Sequence, residues 1–117
     1  MTNKTKGDRG ELLACRFLQS KRMHIIARNW RFGRGEIDII AKDKDTIVFI
    51  EVKFRESLAF GRPEEALTQA KQARLRRTIA GYLSIHPVHQ FRVDVIAILE
   101  EREKATLRHL PDVLLLQ

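Results

Sequence analysis

The chain opens on a helical period. From about Gly7 to Arg22 the apolar residues Leu13, Ala14, Phe17 and Leu18 fall three and four apart, with Asp8 in the first turn and Lys21 and Arg22 in the last, where the helix dipole favours each sign. The helical spacing then gives way to His24 to Phe32, a run carrying Ile25, Ile26 and Trp30 with no helical period, and Gly33 and Gly35 punctuate the chain just beyond it. That run predicts a short strand at the edge of a sheet.

Strict alternation begins at Glu36. Ile37, Ile39 and Ala41 alternate with Glu36, Asp38 and Lys42; past Asp43-Lys44-Asp45, Val48, Ile50, Val52 and Phe54 alternate with Phe49, Glu51, Lys53 and Arg55. This is the pattern of a β-hairpin with one apolar side facing the core. For the two apolar rows to share that side, paired positions must add to an odd number, and a two-residue turn at Lys44-Asp45 sets Asp38 opposite Glu51 and Glu36 opposite Lys53. A loop from Arg55 to Gly61 leads to Pro63-Glu64-Glu65, a helix opening with its acids in the first turn. Leu67, Ala70, Leu75, Ile79, Tyr82 and Leu83 continue as the apolar stripe of a second helix up to about Ser84, with a break expected near Thr68. After His86-Pro87, the run Phe91, Val93, Val95, Ala97 and Leu99 predicts another strong strand, and the right-handed crossover through the helix sets it parallel to the second hairpin strand. A polar turn at Glu100 to Glu103 precedes a weaker strand from Ala105 to Leu110, and the tail Val113 to Leu116 receives no place.

Composition narrows the class. A chain of 117 residues, 44% hydrophobic and without repeats or linkers, suits one continuous domain, residues 1–117. No apolar run approaches the ~18 residues that span a bilayer, and Met1 to Arg9 is polar rather than signal-like, so a cytoplasmic protein without a membrane partner is expected. Cys15 is the single cysteine, which excludes an intrachain disulfide and a cysteine-based zinc site and fits a packed thiol. His24, His86, His89 and His109 have no i, i+4 pair among them, which disfavours a histidine metal site. Lys and Arg number 22 against 15 acids, a net charge of +7 that points to an anionic partner of nucleic-acid type; charge alone suits a solvated basic surface equally well.

The chemistry concentrates in the hairpin. Asp38, Glu51 and Lys53 are expected to project from one side of adjacent strands, and two carboxylates facing each other across a ladder repel unless something offsets them. A divalent cation does so: paired carboxylates are hard oxygen ligands suited to Mg²⁺ or Mn²⁺, which keep several waters and pick up phosphate oxygens. Lys53, two residues after Glu51, remains on that side and is placed to neutralise charge on a phosphate in transition. Glu11, in the first turns of the first helix, is a candidate third ligand, and a Glu serving only the helix dipole is the equal alternative. Arg31, Arg34, Arg55, Lys71 and Arg74 are the candidates for phosphate contacts, although the basic residues of the second helix go around it rather than along one stripe. Trp30, among Arg28, Arg31 and Arg34, reads as packing, with base stacking as its second reading. Asp94 alternates with apolar neighbours and is expected to be a paired structural carboxylate.

Gly35-Glu36-Ile37-Asp38-Ile39-Ile40-Ala41 followed by Phe49-Ile50-Glu51-Val52-Lys53-Phe54-Arg55, with Gly10-Glu11 and Arg28-Asn29-Trp30-Arg31 upstream and Arg92-Val93-Asp94-Val95-Ile96-Ala97 downstream, resembles the YraN-type family of predicted endonucleases. That family is similar to archaeal Holliday-junction resolvases and falls in the restriction-endonuclease-like PD-(D/E)xK superfamily. The resemblance runs over nearly the whole chain, departing from the superfamily pattern at Ile37, where a proline often precedes the aspartate. It implies an α/β fold with a restriction-endonuclease-like core: a mixed central sheet in α-β-β-β-α-β order with helices packed on it. It also implies Asp38, Glu51 and Lys53 as the signature triad and Glu11 as the first-helix acid. The expected activity is Mg²⁺- or Mn²⁺-dependent hydrolysis of phosphodiester bonds, in DNA before RNA. With no major-groove reading helix in view, selection by shape is expected, as in branched or junction DNA, whose two-fold symmetry suits a homodimer. The alternative is a nucleic-acid-binding protein on a nuclease-like fold without turnover.

Overall fold

The computed structural model describes residues 3–57, 61 and 67–113, with side chains from residue 7 onward. The expected helix opening at Pro63-Glu64-Glu65 and the tail after Val113 lie outside the described residues. In chain order run α1 (Asn3–Ser20), β1 (His24–Phe32), β2 (Gly35–Asp43), β3 (Thr46–Arg55), α2 (Gln69–Ile85), β4 (Phe91–Glu101) and β5 (Lys104–Leu110).

Caps, rather than the apolar stripes, set the helix limits. α1 begins about a turn before the sequence pattern, so Asp8 is not in its first turn, and Lys21 and Arg22 fall beyond its end. It closes where Arg22 turns left-handed (φ 66°): Arg22 N–H donates to the Gln19 carbonyl (2.9 Å) and Met23 N–H to that of Leu18 (3.0 Å), which satisfies the last carbonyls and folds Met23 back onto the core. α2 starts at the residue where a break was expected. The Thr68 hydroxyl accepts the Lys71 N–H (3.3 Å), a side-chain N-cap.

The strands form one mixed sheet in the order β1-β2-β3-β4-β5, antiparallel throughout except for the parallel β3–β4 pair reached through α2. The β2–β3 ladder runs from Asp43–Thr46 to Ile39–Ile50, the register expected from a Lys44-Asp45 turn, with Lys44 at φ 55°. β4 is longer than its apolar run, since Glu100 and Glu101 pair with Ala105 and Lys104 around a turn at Arg102-Glu103. β1 and β5 are the edges.

Both faces of the sheet are covered. On one, Ala14, Cys15 and Leu18 of α1 pack with Ile39, Ala41, Val48, Ile50, Ile96 and Ile98. On the other, Leu75, Ile79 and Tyr82 of α2 pack with Ile40, Ile47, Phe49 and Val93. The hairpin is therefore not a ribbon with one wet side: on β3 Phe49 lies in the row of Glu51, and on β2 Ile40 packs with it, as does Ile37, which strict alternation would put with Ile39 and Ala41. Asp94, fully buried, accepts from Arg92 Nε (3.0 Å) and from the Asp112 N–H (2.9 Å) and lies 2.7 Å from His109 Nε2, the paired structural carboxylate expected. Among the described residues no helix is long and apolar enough to cross a membrane.

Candidate active site

One step past the last β2–β3 ladder pair, a side chain takes over from the backbone. Val52 N–H donates to Asp38 Oδ2 (2.8 Å), so one oxygen of Asp38 is clamped to β3. On β3 itself, Lys53 Nζ lies 3.5 Å from Glu51 Oε2, and both side chains are largely buried. Glu51 Oε1 is buried with no hydrogen-bond partner among the described residues. Lys53 thus turns to Glu51 on its own strand, while Glu36, expected opposite Lys53, stands 3.9 Å from Arg31 on β1.

Removal from water pushes both carboxyls up. Asp38 is raised by burial, against the opposing pull of the Val52 N–H and Lys53. Glu51 is pushed up to about 8, by burial first and by the neighbouring Asp38 carboxylate second. Two acids are thus held side by side where neither ionises comfortably in the absence of an added positive charge.

The first turns of α2 and the β1–β2 turn close a pocket of about 270 Å³ over this pair. Lys71 and Arg74 reach it from α2, Arg34 reaches it from the turn, and Leu75 gives it an apolar wall. Glu36 lines it as well, on the side of Asp38 as the alternation of the two with Ile37 predicts. Among the described residues, Arg34, Lys71 and Arg74 form no ion pair with the pocket's carboxylates.

Glu11 approaches from α1. Gly10 permits it: a Cβ there would lie 3.3 Å from Phe54 Cβ, so the helix sits tight against β3 and brings the next residue to the sheet. Glu11 is buried, 3.8 Å from Arg28 Nη2, and its Oε1 has no hydrogen-bond partner among the described residues. Burial first, then Asp38, push its carboxyl up to about 7. Glu11 feels the pocket but does not line it; Arg31, which is largely exposed, and Arg55, whose Nε is buried without a partner among those residues, do not line it either.

Do these residues fit a divalent cation? Among the described residues no three Asp, Glu, His or Cys side chains form a group able to hold a metal ion. The donor chemistry nevertheless suits one: Asp38 and Glu51 are hard oxygen ligands, one oxygen of Glu51 is orphaned, and Mg²⁺ commonly takes only one or two carboxylates, completing its shell with water and phosphate oxygens.

Comparison with known proteins places the chain. Residues 10–98 match the model of the uncharacterised protein family UPF0102, a span that takes in Glu11, Asp38, Glu51 and Lys53. A UPF0102 protein of Beutenbergia cavernae is 46% identical over 110 residues, covering 92% of this chain and 93% of its own. One from Arthrobacter sp. is 48% identical over 97 residues (81% and 82%), and one from Chlorobaculum tepidum 50% over 95 residues (80% and 74%). Matched over most of its length by the family model and by relatives of similar size, the chain belongs to the UPF0102 family.

Proposed function

We propose that this protein is a Mg²⁺- or Mn²⁺-dependent endonuclease of the cytoplasm, built on a restriction-endonuclease-like core, that hydrolyses DNA phosphodiester bonds and selects DNA by shape, branched or junction DNA first. The observation that carries this function is one pocket that sets two carboxylates raised by burial, Asp38 and Glu51, the latter with one oxygen short of a partner, beside cations at Arg34, Lys71 and Arg74 that pair with neither. A phosphodiester with a divalent cation satisfies both.

A bound cation supplies Lewis acidity at the phosphate and eases ionisation of the attacking water. Asp38, clamped by Val52 N–H, and Glu51 are the residues that hold it, with Glu11 behind them. Lys53 presents its ammonium to charge developing on the non-bridging oxygens, where a preorganised donor counts most. Arg34, Lys71 and Arg74 fix the phosphate chain, which carries affinity without sequence information. Hydrolysis forms one P–O bond to water and breaks one to the sugar oxygen, which leaves with a proton. The two-fold symmetry of a junction suits a C₂ dimer.

The test is incubation of supercoiled and branched DNA with the protein and Mg²⁺ or Mn²⁺. Asp38→Asn, Glu51→Gln and Lys53→Ala are each expected to lower cleavage by about 10²-fold or more. Cleavage that survives all three substitutions overturns the assignment, and retention of DNA without any metal-dependent cleavage makes the protein a binder rather than an enzyme.

A further inference from the structure

Phe32 ends β1 just before the Gly33-Arg34 turn, and 44% of it is exposed. The ring is nevertheless well seated. It lies parallel to the indole of Trp30, with 3° between the planes and 6.0 Å between centroids. It also rests on Gly81 of α2, where a Cβ would run into the ring. Trp30 in turn meets Tyr82 edge-on at 5.2 Å, so the aromatic considered from sequence for base stacking is packed between two rings. Phe32 is the exposed end of that stack.

Its position relative to the carboxylate pocket is set by both elements it touches. Arg34, two residues on, lines the pocket, and so does Arg74, seven residues before Gly81 and about 10 Å away along the axis of α2. That is within the span of a few nucleotides of single strand. We infer that Phe32 is a stacking platform for an unpaired nucleobase beside the phosphate held in the pocket, so that the preferred substrate carries single-stranded nucleotides next to the cleaved bond. This deepens the nuclease assignment and rests on its phosphate site. A phenyl ring already seated by Trp30 and Gly81 has little rotamer freedom left to lose, and stacking on it is open to every base because each has a π-face. A paired base inside a duplex offers no such face. Arg34, two residues from Phe32 in the pocket lining, suits the accompanying backbone charge.

Trp30 is the only tryptophan of the chain and stacks on Phe32, so its emission reports a base at the platform without turnover. The full-length protein is titrated in EDTA with a twelve-residue oligothymidylate, with a blunt duplex of equal length, and with the same strand carrying abasic sites. The oligothymidylate is expected to change Trp30 emission and the abasic strand to leave it unchanged. Phe32→Leu, which keeps an apolar side chain on Gly81, is expected to weaken single-strand binding about tenfold, and Phe32→Tyr to restore it, with duplex binding unaffected by either. Arg74→Ala weakens both. If Phe32→Leu weakens neither ligand, or weakens both equally, the platform is wrong while the phosphate site stands; if no nucleic acid binds at all, the phosphate site falls and the platform with it.

Discussion

Glu51 and Asp94 are both buried carboxylates, and the fold treats them in opposite ways. Asp94 is surrounded by donors, Arg92 through Nε and Nη2, His109, and the Asp112 N–H, so its charge is fully met. Glu51 has Lys53 at 3.5 Å and an orphaned Oε1. Substitution should therefore move stability in opposite directions. Asp94→Ala leaves His109 and the Asp112 N–H without their acceptor and Arg92 with Asp43 alone, and is expected to cost about 3 kcal/mol in denaturant unfolding. Glu51→Gln should stabilise the metal-free protein at alkaline pH. The sign comes from proton binding: Glu51, pushed up to about 8, and Glu11, pushed up to about 7, keep protons in the native state that the unfolded chain releases near 4.5. Between pH 4.5 and about 8 the native state binds more protons, so their contribution to stability is full below 4.5, declines as pH rises, and is lost above about 8. Thermal melts in EDTA should show Glu51→Gln with the shallower decline and, at pH 8.5, the higher melting temperature. A melting temperature equal to or below the parent's would mean that Glu51 is a satisfied structural acid.

The elements decide whether those residues meet, and α2 has the critical boundary. Thr68 caps it by accepting the Lys71 N–H, so the residue that starts the helix also holds the backbone of a pocket cation. Thr68→Ala is expected to cost about 1 kcal/mol in urea unfolding and Thr68→Ser close to nothing. An equal cost for both would place the effect in the methyl group instead of the hydroxyl. Neither helix limit was legible in the sequence. A polar Thr interrupting an apolar stripe looks the same whether it caps or breaks, and α1 ends on backbone carbonyls taken up around a left-handed Arg22, with no glycine to announce it. The hairpin, by contrast, was legible to the register over its ladder from Asp43–Thr46 to Ile39–Ile50, because a two-residue turn fixes the pairs next to it; beyond Ile39 the expected pairing of Glu36 with Lys53 gives way to Glu36 beside Arg31. What alternation left undetermined was the cover. Phe49 and Ile40 pack on the side of Glu51 and Asp38, and those two apolar residues were the available sign that α2 closes over the carboxylates.

At the scale of the molecule, the net charge of +7 was legible and its distribution was not. Arg34 and the α2 pair Lys71 and Arg74 are far apart in sequence and meet only because the β1–β2 turn lies beside the start of that helix. Arg76 and Arg77, next in the same helix, point elsewhere and border a separate apolar groove with Leu83 and Phe91. A helix turns about 100° per residue, so four basic side chains in seven positions serve two surfaces, and counting them overstates either one. This division separates the proposed phosphate site from a diffusely basic surface. If the pocket cations make the phosphate contacts, replacing Arg34, Lys71 and Arg74 by Ala together should flatten the slope of log K against log salt by about 2 on single-stranded DNA and about 2.7 on duplex. Arg76→Ala with Arg77→Ala should leave that slope nearly unchanged, despite removing two of the same charges. Diffuse attraction would instead lower the slope in proportion to the charges removed, wherever they sit, so a double variant that flattens it two-thirds as much as the triple one would show that DNA is held by net charge and not by the pocket.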